Sequence, residues 1–383
     1  MAGEPRSVGV EEEFLLVDPA DGAARAVAAT VLRLQDGGSG AESSDGSGLE
    51  AELHAEQLET GTRPCVALAD LAAELERTRA QAARAAARRG AAVAPLGTYP
   101  LPVEPTAFPK ERNLHVLERF ALTGREQLTC GCHVHVGVAD AEEGVAVLDR
   151  IRPWLAPLLA LSANSPFWAG EASGYASFRN QVWSRWPSAG PYGIFGSVAE
   201  YERVTAAMLD TETLVDEGML YFDARLSVRH PTVEIRVTDV CRDREDAVLV
   251  AALARGLVET AARDWRAGRA PDPVRTEELR LHLWRAARSG LAGALVDPVT
   301  GRPAPAAAVV DRLVAHVAEA LDAAGDLAVV RELVAALTAR GTGADRQQAV
   351  YARTGDLRAV ITDSTVAAES DWTRCVTGTS ATS

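Results

Sequence analysis

The chain has 383 residues, of which 47% are hydrophobic and 24% charged, with a formal net charge of −14. That balance suits a globular core of ordinary composition and argues against a nucleic-acid surface or a binder of anionic membranes. No run approaches the ~18–20 apolar residues of a membrane span, residues 1–7 lack a signal-peptide core, and five cysteines without a C-x-x-C pattern suit a reduced cytosol.

Residues 7–17 read as a strand, followed by a turn at 18–22. Side chains alternate along a strand, so Glu11 and Glu13 share one face, while Val10, Phe14 and Leu16 demand burial of the other. The two carboxylates stand about 7 Å apart at the backbone, near enough to bracket one cation or bridge two. Residues 36–48 have no apolar anchor and read as a flexible Gly/Ser loop, a solvated connection rather than a mobile flap. A second acidic strand is expected at 49–61, with Gln57 and Glu59 on one face. Taken alone, that segment fits a surface strand equally well. His54 within it suits a surface or satisfied core residue better than a ligand.

An amphipathic helix is expected from Leu68 to Arg89 with a stop at Gly90, then a short strand at Ala92–Leu96, a proline-rich loop at 100–110 and a helix at 111–122. The strand at 127–138 carries Thr129-Cys130-Gly131-Cys132-His133-Val134-His135-Val136-Gly137. Cys130, Cys132, Val134 and Val136 point into a core, whereas His133 and His135 face the other way with only Thr129 and two glycines beside them. The cysteines cannot join the histidines, which disfavours a closed zinc site. A mixed imidazole–carboxylate set suits magnesium or manganese beside phosphate.

Residues 140–163 read as a helix interrupted near Pro153 and Pro157, and 164–197 as a long structured loop that carries Arg179. A helix at 198–209 leads to a strand pair within 219–240, turning at His230-Pro231-Thr232. There Val233, Ile235 and Val237 pack, and Glu234 and Arg236 project together. Arg225, Arg229 and Arg236 flank or occupy this pair, and the guanidinium fork fits carboxylate and phosphate. The remainder is expected to be helical at 243–267, 275–290, 305–323, 325–340 and 344–353, with a disordered tail from 376. The expectation is one α+β domain over 1–375, a sheet with helices outside it. There is no P-loop, dinucleotide fingerprint or nucleophile elbow, so the chemistry rests on metal and positioning rather than a covalent enzyme intermediate.

Five segments occur in a telling order: Gly9-Val10-Glu11-Glu12-Glu13-Phe14, Glu59-Thr60-Gly61-Thr62, Cys130–Gly137, Ala163-Asn164-Ser165-Pro166-Phe167-Trp168 and Pro231–Val237. In these the chain resembles the type 2 glutamate–cysteine ligase family, the YbdK-like carboxylate–amine ligases. The resemblance runs from about residue 7 to at least residue 260. It implies a glutamine-synthetase-like fold, a curved, mostly antiparallel sheet lining an active-site cavity with helices packed outside. It also implies that ATP and Mg2+ (or Mn2+) drive amide formation from small-molecule carboxylate and amine substrates through an acyl phosphate. Carried over by position, Glu11, Glu13, Glu59, His133 and Glu234 become metal ligands, with Glu234 also catalytic. Arg236 and Arg179 become the residues that grip the transferring phosphate. His135, Gln57, Arg225 and Arg229 become substrate or nucleotide contacts. The family commonly has Gly-Thr-His-Pro where this chain has Gly97-Thr98-Tyr99-Pro100, which puts a substrate contact there in question.

Two other readings stay open: a metal-dependent hydrolase using the same groups on water, and a silent relative that binds nucleotide or metabolite. A need for ATP separates the ligase from the hydrolase. Retention of Glu11, Glu13, Glu59, His133, Glu234 and Arg236 speaks against the silent relative. The expected setting is the cytoplasm, with no nucleic-acid or membrane partner, and oligomer base rates favour a homodimer.

Overall fold

A computed structural model of the chain describes residues 5–33 and 48–367. The Gly/Ser segment at 36–47 and the tail from 376 lie outside the described residues. The strands are β1 (Val8–Val17), β2 (Gly48–Ala51), β3 (Gln57–Gly61), β4 (Ala92–Ala94), β5 (Gly131–Gly137), β6 (Phe167–Trp168), β7 (Glu171–Ala172), β8 (Ala224–Leu226), β9 (Thr232–Asp239), β10 (Ala294–Val296) and β11 (Pro303–Pro305). Seven of them form one sheet in the order β2-β3-β1-β5-β9-β8, with β4 also pairing β1. Every pairing in it is antiparallel. The pairs β6–β7 and β10–β11 are separate hairpins.

The alternation that marks these strands in sequence is what anchors them. Val8, Val10, Cys132, Val134, Val136, Val233, Ile235 and Val237 are all buried in one apolar cluster. That face is covered by the helices Leu155–Ser162 and Arg244–Arg266, whose contacts reach β1, β5 and β9. A second cluster joins Phe14, Leu16, Leu58 and Cys130 to alanines of the helix Leu68–Ala87. Removing so much aliphatic surface from water is the main term holding the sheet in place. The other face is left to polar residues.

One acid breaks the apolar rule. Glu12 points into the core with Val10 and is fully buried. Arg79, from the helix Leu68–Ala87, donates to both of its oxygens at 2.6 and 2.8 Å, and its remaining donors reach the carbonyls of Cys241 and Arg242. The pair is saturated, which is the condition under which a buried charge is tolerable.

Three boundaries differ from expectation for physical reasons. The strand expected at 49–61 is two strands, β2 and β3, with a turn around His54 folding one onto the other. The expected helix 140–163 is Ala141–Ile151, a 3-10 turn at Arg152–Trp154, and Leu155–Ser162. Pro153 removes a helical donor at the break, while Pro157 sits in the first turn of the next helix, where its N–H is not needed. The helix expected at 305–323 is likewise Ala306–His316 followed by Ala318–Ala323. Two short helices, Ala28–Leu32 and Leu357–Asp363, and the β10–β11 hairpin were not legible as elements.

Candidate active site

Register places the polar residues of non-neighbouring segments side by side. Glu13 pairs with Glu59 across β1–β3, and Glu59 with Glu50 across β3–β2. Glu11 pairs with His133 across β1–β5, His135 with Glu234 across β5–β9, and Glu234 with Arg225 across β9–β8. These residues line a cavity of about 680 Å³ together with Gln57, Arg229 and Arg236. Ten of the eleven residues expected at the site therefore come together on one surface.

Arg179 is the exception. It does not line the cavity, and is 2% exposed on the short helix Phe178–Trp183. Its guanidinium passes over Gly131, where a Cβ would collide with Nη2, and stacks 5.5 Å from the Trp183 ring. It sits in the floor, beneath Glu13 and beside Arg236, rather than in the open space. Arg229 also differs from Arg225. It is exposed at the rim, with Nη1 4.0 Å from Glu50 across the cavity mouth. Arg225 is buried and donates to Glu234 at 2.8 Å and to the Gly218 and Leu220 carbonyls.

The electrostatics divide the site. His133 Nδ1 lies 3.4 Å from Glu11 Oε2, and His135 Nε2 lies 3.2 Å from Glu11 Oε1. Burial disfavours a charged Glu11, but His135 and His133 outweigh it and hold the carboxyl well below its usual range. Burial likewise opposes Glu234, and Arg236, His135 and Arg225 hold it well below. Across the site the balance reverses. Burial and the charge of Glu52 push Glu13 up to about 7, against the pull of Arg179 and Arg236. Burial, Glu52 and Glu11 push Glu59 well above its usual range. Burial and Arg236 lower His133 to about 4, leaving a neutral imidazole at neutral pH.

This donor set fits a divalent cation. Ligand atoms of Glu11, Glu59 and His133 lie within 4.8 Å of one another, as do those of Glu11, His135 and Glu234. His133 Nε2 is buried without a hydrogen-bond partner, and Glu13 and Glu59 crowd together without an internal counter-charge sufficient to keep them ionised. Carboxylate oxygens with the neutral imidazole of His133 suit Mg2+ or Mn2+. Among the described residues no cysteine lines the cavity, in line with the parity argument.

Several lining residues escaped sequence reasoning. Glu50 and Glu52 had a signal, their own two-residue spacing, hidden by the wrong strand boundary. Trp183, Trp186, Tyr221, Gln127 and Arg112 had none, because loops and helices far apart in sequence deliver them. Gln57 donates to the Thr129 carbonyl at 2.8 Å, while its own carbonyl, that of Gln127 and the Trp186 N–H are buried and unpartnered. Such groups are costly unless a ligand or water completes them. His54 is buried, with Nε2 3.1 Å from the Gly124 carbonyl, which agrees with a core role. Tyr99 lies outside the cavity: its hydroxyl accepts the Ala24 N–H and donates to the Gly22 carbonyl, both at 3.0 Å. The departure at this position therefore falls on a structural strut.

Comparison with known proteins gives the family and the fold. Residues 7–363 match the glutamate-cysteine ligase family 2 (GCS2). A Streptomyces avermitilis protein named "Putative glutamate–cysteine ligase 2-1" is 52% identical over 94% of this chain and 98% of its own length. A similarly named Streptomyces coelicolor protein is 53% identical over 93% and 97%. Among solved structures, a glutamate–cysteine ligase from Francisella tularensis in complex with AMP superposes with a TM-score of 0.65 at 13% identity, covering 94% of this chain and 88% of its own. A bifunctional glutathione synthetase from Pasteurella multocida superposes with a TM-score of 0.68 at 16% identity over 94% of this chain, which spans about half (52%) of that protein. The two superpositions show a shared fold. Among the described residues, no helix is long and apolar enough to cross a membrane.

Proposed function

The chain belongs to glutamate–cysteine ligase family 2, which makes it an ATP-dependent carbon–nitrogen ligase, and we propose that it forms a γ-glutamyl-cysteine-type amide through an acyl phosphate. The observation that carries this reading is the single sheet face on which six neighbouring strands assemble carboxylates, imidazoles and arginines around one cavity. In this reading residues 1–375 act as one catalytic domain.

Glu11, Glu13, Glu59, His133 and Glu234 would hold Mg2+ or Mn2+. When bound, the cation supplies neutralisation of phosphate charge. The substrate carboxylate oxygen attacks the γ-phosphorus of ATP, the bond to the bridging oxygen breaks, and ADP leaves. Arg236 sits in the floor with its guanidinium on Glu234 and over Tyr221, so its position is set before substrate arrives. It and Arg179 offer fixed positive charge to the phosphoryl oxygens in flight, with little reorganisation needed. The amine nitrogen then attacks the acyl carbon, loses a proton and expels phosphate. Trp183, Trp186 and Tyr221 wall one side of the cavity and limit water that would hydrolyse the acyl phosphate. The unpartnered carbonyls of Gln57 and Gln127 are placed to accept from an ammonium or amine group.

The test is ADP release with ATP and Mg2+ over a matrix of carboxylates and amines that includes glutamate with cysteine. Release that requires both partners supports the ligase. Turnover of an amide without ATP would favour the hydrolase instead.

A further inference from the structure

Arg179 carries a role in the proposed reaction but reaches it from a loop region, and a six-residue helix does not by itself fix a long side chain. The structure shows what does. Asp239, at the end of β9 and fully buried, accepts three hydrogen bonds from that region. The Ser177 hydroxyl donates to Oδ1 at 2.8 Å, and the Ser165 hydroxyl and Asn164 N–H donate to Oδ2 at 2.6 and 2.9 Å. Ser165 Oγ in turn accepts the backbone N–H of Arg179 at 3.0 Å, and Ser177 is the N-cap of the Arg179 helix. The Arg179 Nη1 lies 3.9 Å from Asp239 Oδ1, and Nη2 donates to the Arg236 carbonyl at 3.4 Å, while Nε has no partner.

We infer that Asp239 is the positioning residue for Arg179, holding both its backbone and its guanidinium in register with Arg236, three residues earlier on the same strand. The inference deepens the ligase reading and rests on it for the role of Arg179. A carboxylate suits this position, because it accepts all three donors and faces the Arg179 guanidinium. Three donors converge on its two oxygens, and an asparagine would turn an N–H2 group toward at least one of them. The placement also explains the Ala163-Asn164-Ser165-Pro166 motif and Ser177. Their hydroxyls and backbone carry the position of β9 to Arg179, and no side chain of theirs lines the cavity.

The experiment measures Asp239→Asn and Ser177→Ala alone and combined with Arg179→Lys. Asp239→Asn is expected to lower kcat at least tenfold and Ser177→Ala severalfold, with KM for the amine changed less than twofold. In the Arg179→Lys background each change should cost less than twofold, because the group it positions has gone. A second readout is the ratio of affinities for a non-hydrolysable ATP analogue and for ADP, both with Mg2+, by calorimetry. Asp239→Asn should shrink that ratio, and Arg179→Lys should shrink it to the same level. Equal losses of kcat in both backgrounds, or an unchanged affinity ratio, would overturn the assignment. Should Asp239→Asn fail to fold, Ser177→Ala carries both arms. If the wild type released no ADP with any substrate pair, the ligase reading would fall, and the affinity ratio would still decide the role of Asp239.

Discussion

Two ends of one sheet face treat the same residue type in opposite ways. At the β8–β9 end, Glu234 lies between Arg225 and Arg236 and is held ionised. At the β1–β3 end, Glu13 and Glu59 sit among Glu11 and Glu52 and are pushed toward the protonated form. Burial acts against the charge in both places, so the neighbours decide the outcome. At the arginine end the charge of Glu234 is balanced within the fold, whereas at the acidic end carboxylates outnumber their counter-charges, which is where the cation of the proposed reaction would contribute most.

The comparison can be broken most sharply at the arginine end. Arg236→Lys keeps the charge but loses the fork that serves Glu234 and the phosphate together. Turnover should fall by about 100-fold or more while the melting curve barely moves. Wild-type kinetics in steady-state assays would remove Arg236 from the site.

Glu59→Gln sharpens the acidic end. Losing one carboxylate should weaken Mn2+ binding by ~10–100-fold and reduce turnover accordingly. It should also relieve repulsion, raising the metal-free melting temperature by about 1–3 °C. A calorimetric melt with and without Mn2+ reads both effects. If the metal-free variant melted lower than the wild type, the claim of crowding would be wrong.

A pH profile tests a buried acid beside the arginine end, Asp223, whose carbonyl accepts the Arg236 N–H at 2.8 Å. Burial raises Asp223 from 3.8 to about 7, against Arg179 and Arg280. Between roughly pH 4 and pH 7 the unfolded chain has released this proton while the folded chain keeps it, so stability falls as pH rises through that window. Asp223→Asn should flatten part of that fall by a few degrees, measured as melting temperature from pH 5 to pH 8. Parallel profiles for the two proteins would count against it.

The smallest effect is expected outside the comparison. Tyr99→Phe removes two hydrogen bonds outside the cavity. It should cost about 1–2 kcal/mol in denaturant unfolding and leave turnover unchanged. A change in kcat or in substrate preference would bring Tyr99 back into the site.

The period-two pattern made much of this legible in advance. Glu11 with Glu13, His133 with His135, and Glu234 with Arg236 could each be assigned to the face opposite a run of Val, Phe, Leu or Cys, and each lies there. The pattern failed where a strand boundary was misplaced. Merging β2 with β3 hid Glu50 and Glu52, although Glu52 is the neighbour that does most, after burial, to raise Glu13 and Glu59. It was silent on Trp183, Trp186 and Gln127, which reach the cavity from loops and helices without a strand's alternation.

From the sequence alone came the face each strand residue takes, since alternation is a local property of extended backbone that apolar neighbours reveal. Which strand lies beside which, and in what register, was decided only by the tertiary structure. Apart from the β8–β9 hairpin, those pairings join residues tens to more than a hundred positions apart. Alternation already put Arg236 beside Glu234, but the His135 and Arg225 that help keep Glu234 charged, and the Glu52 and Glu11 that drive Glu59 toward protonation, are neighbours across space that no local pattern encodes.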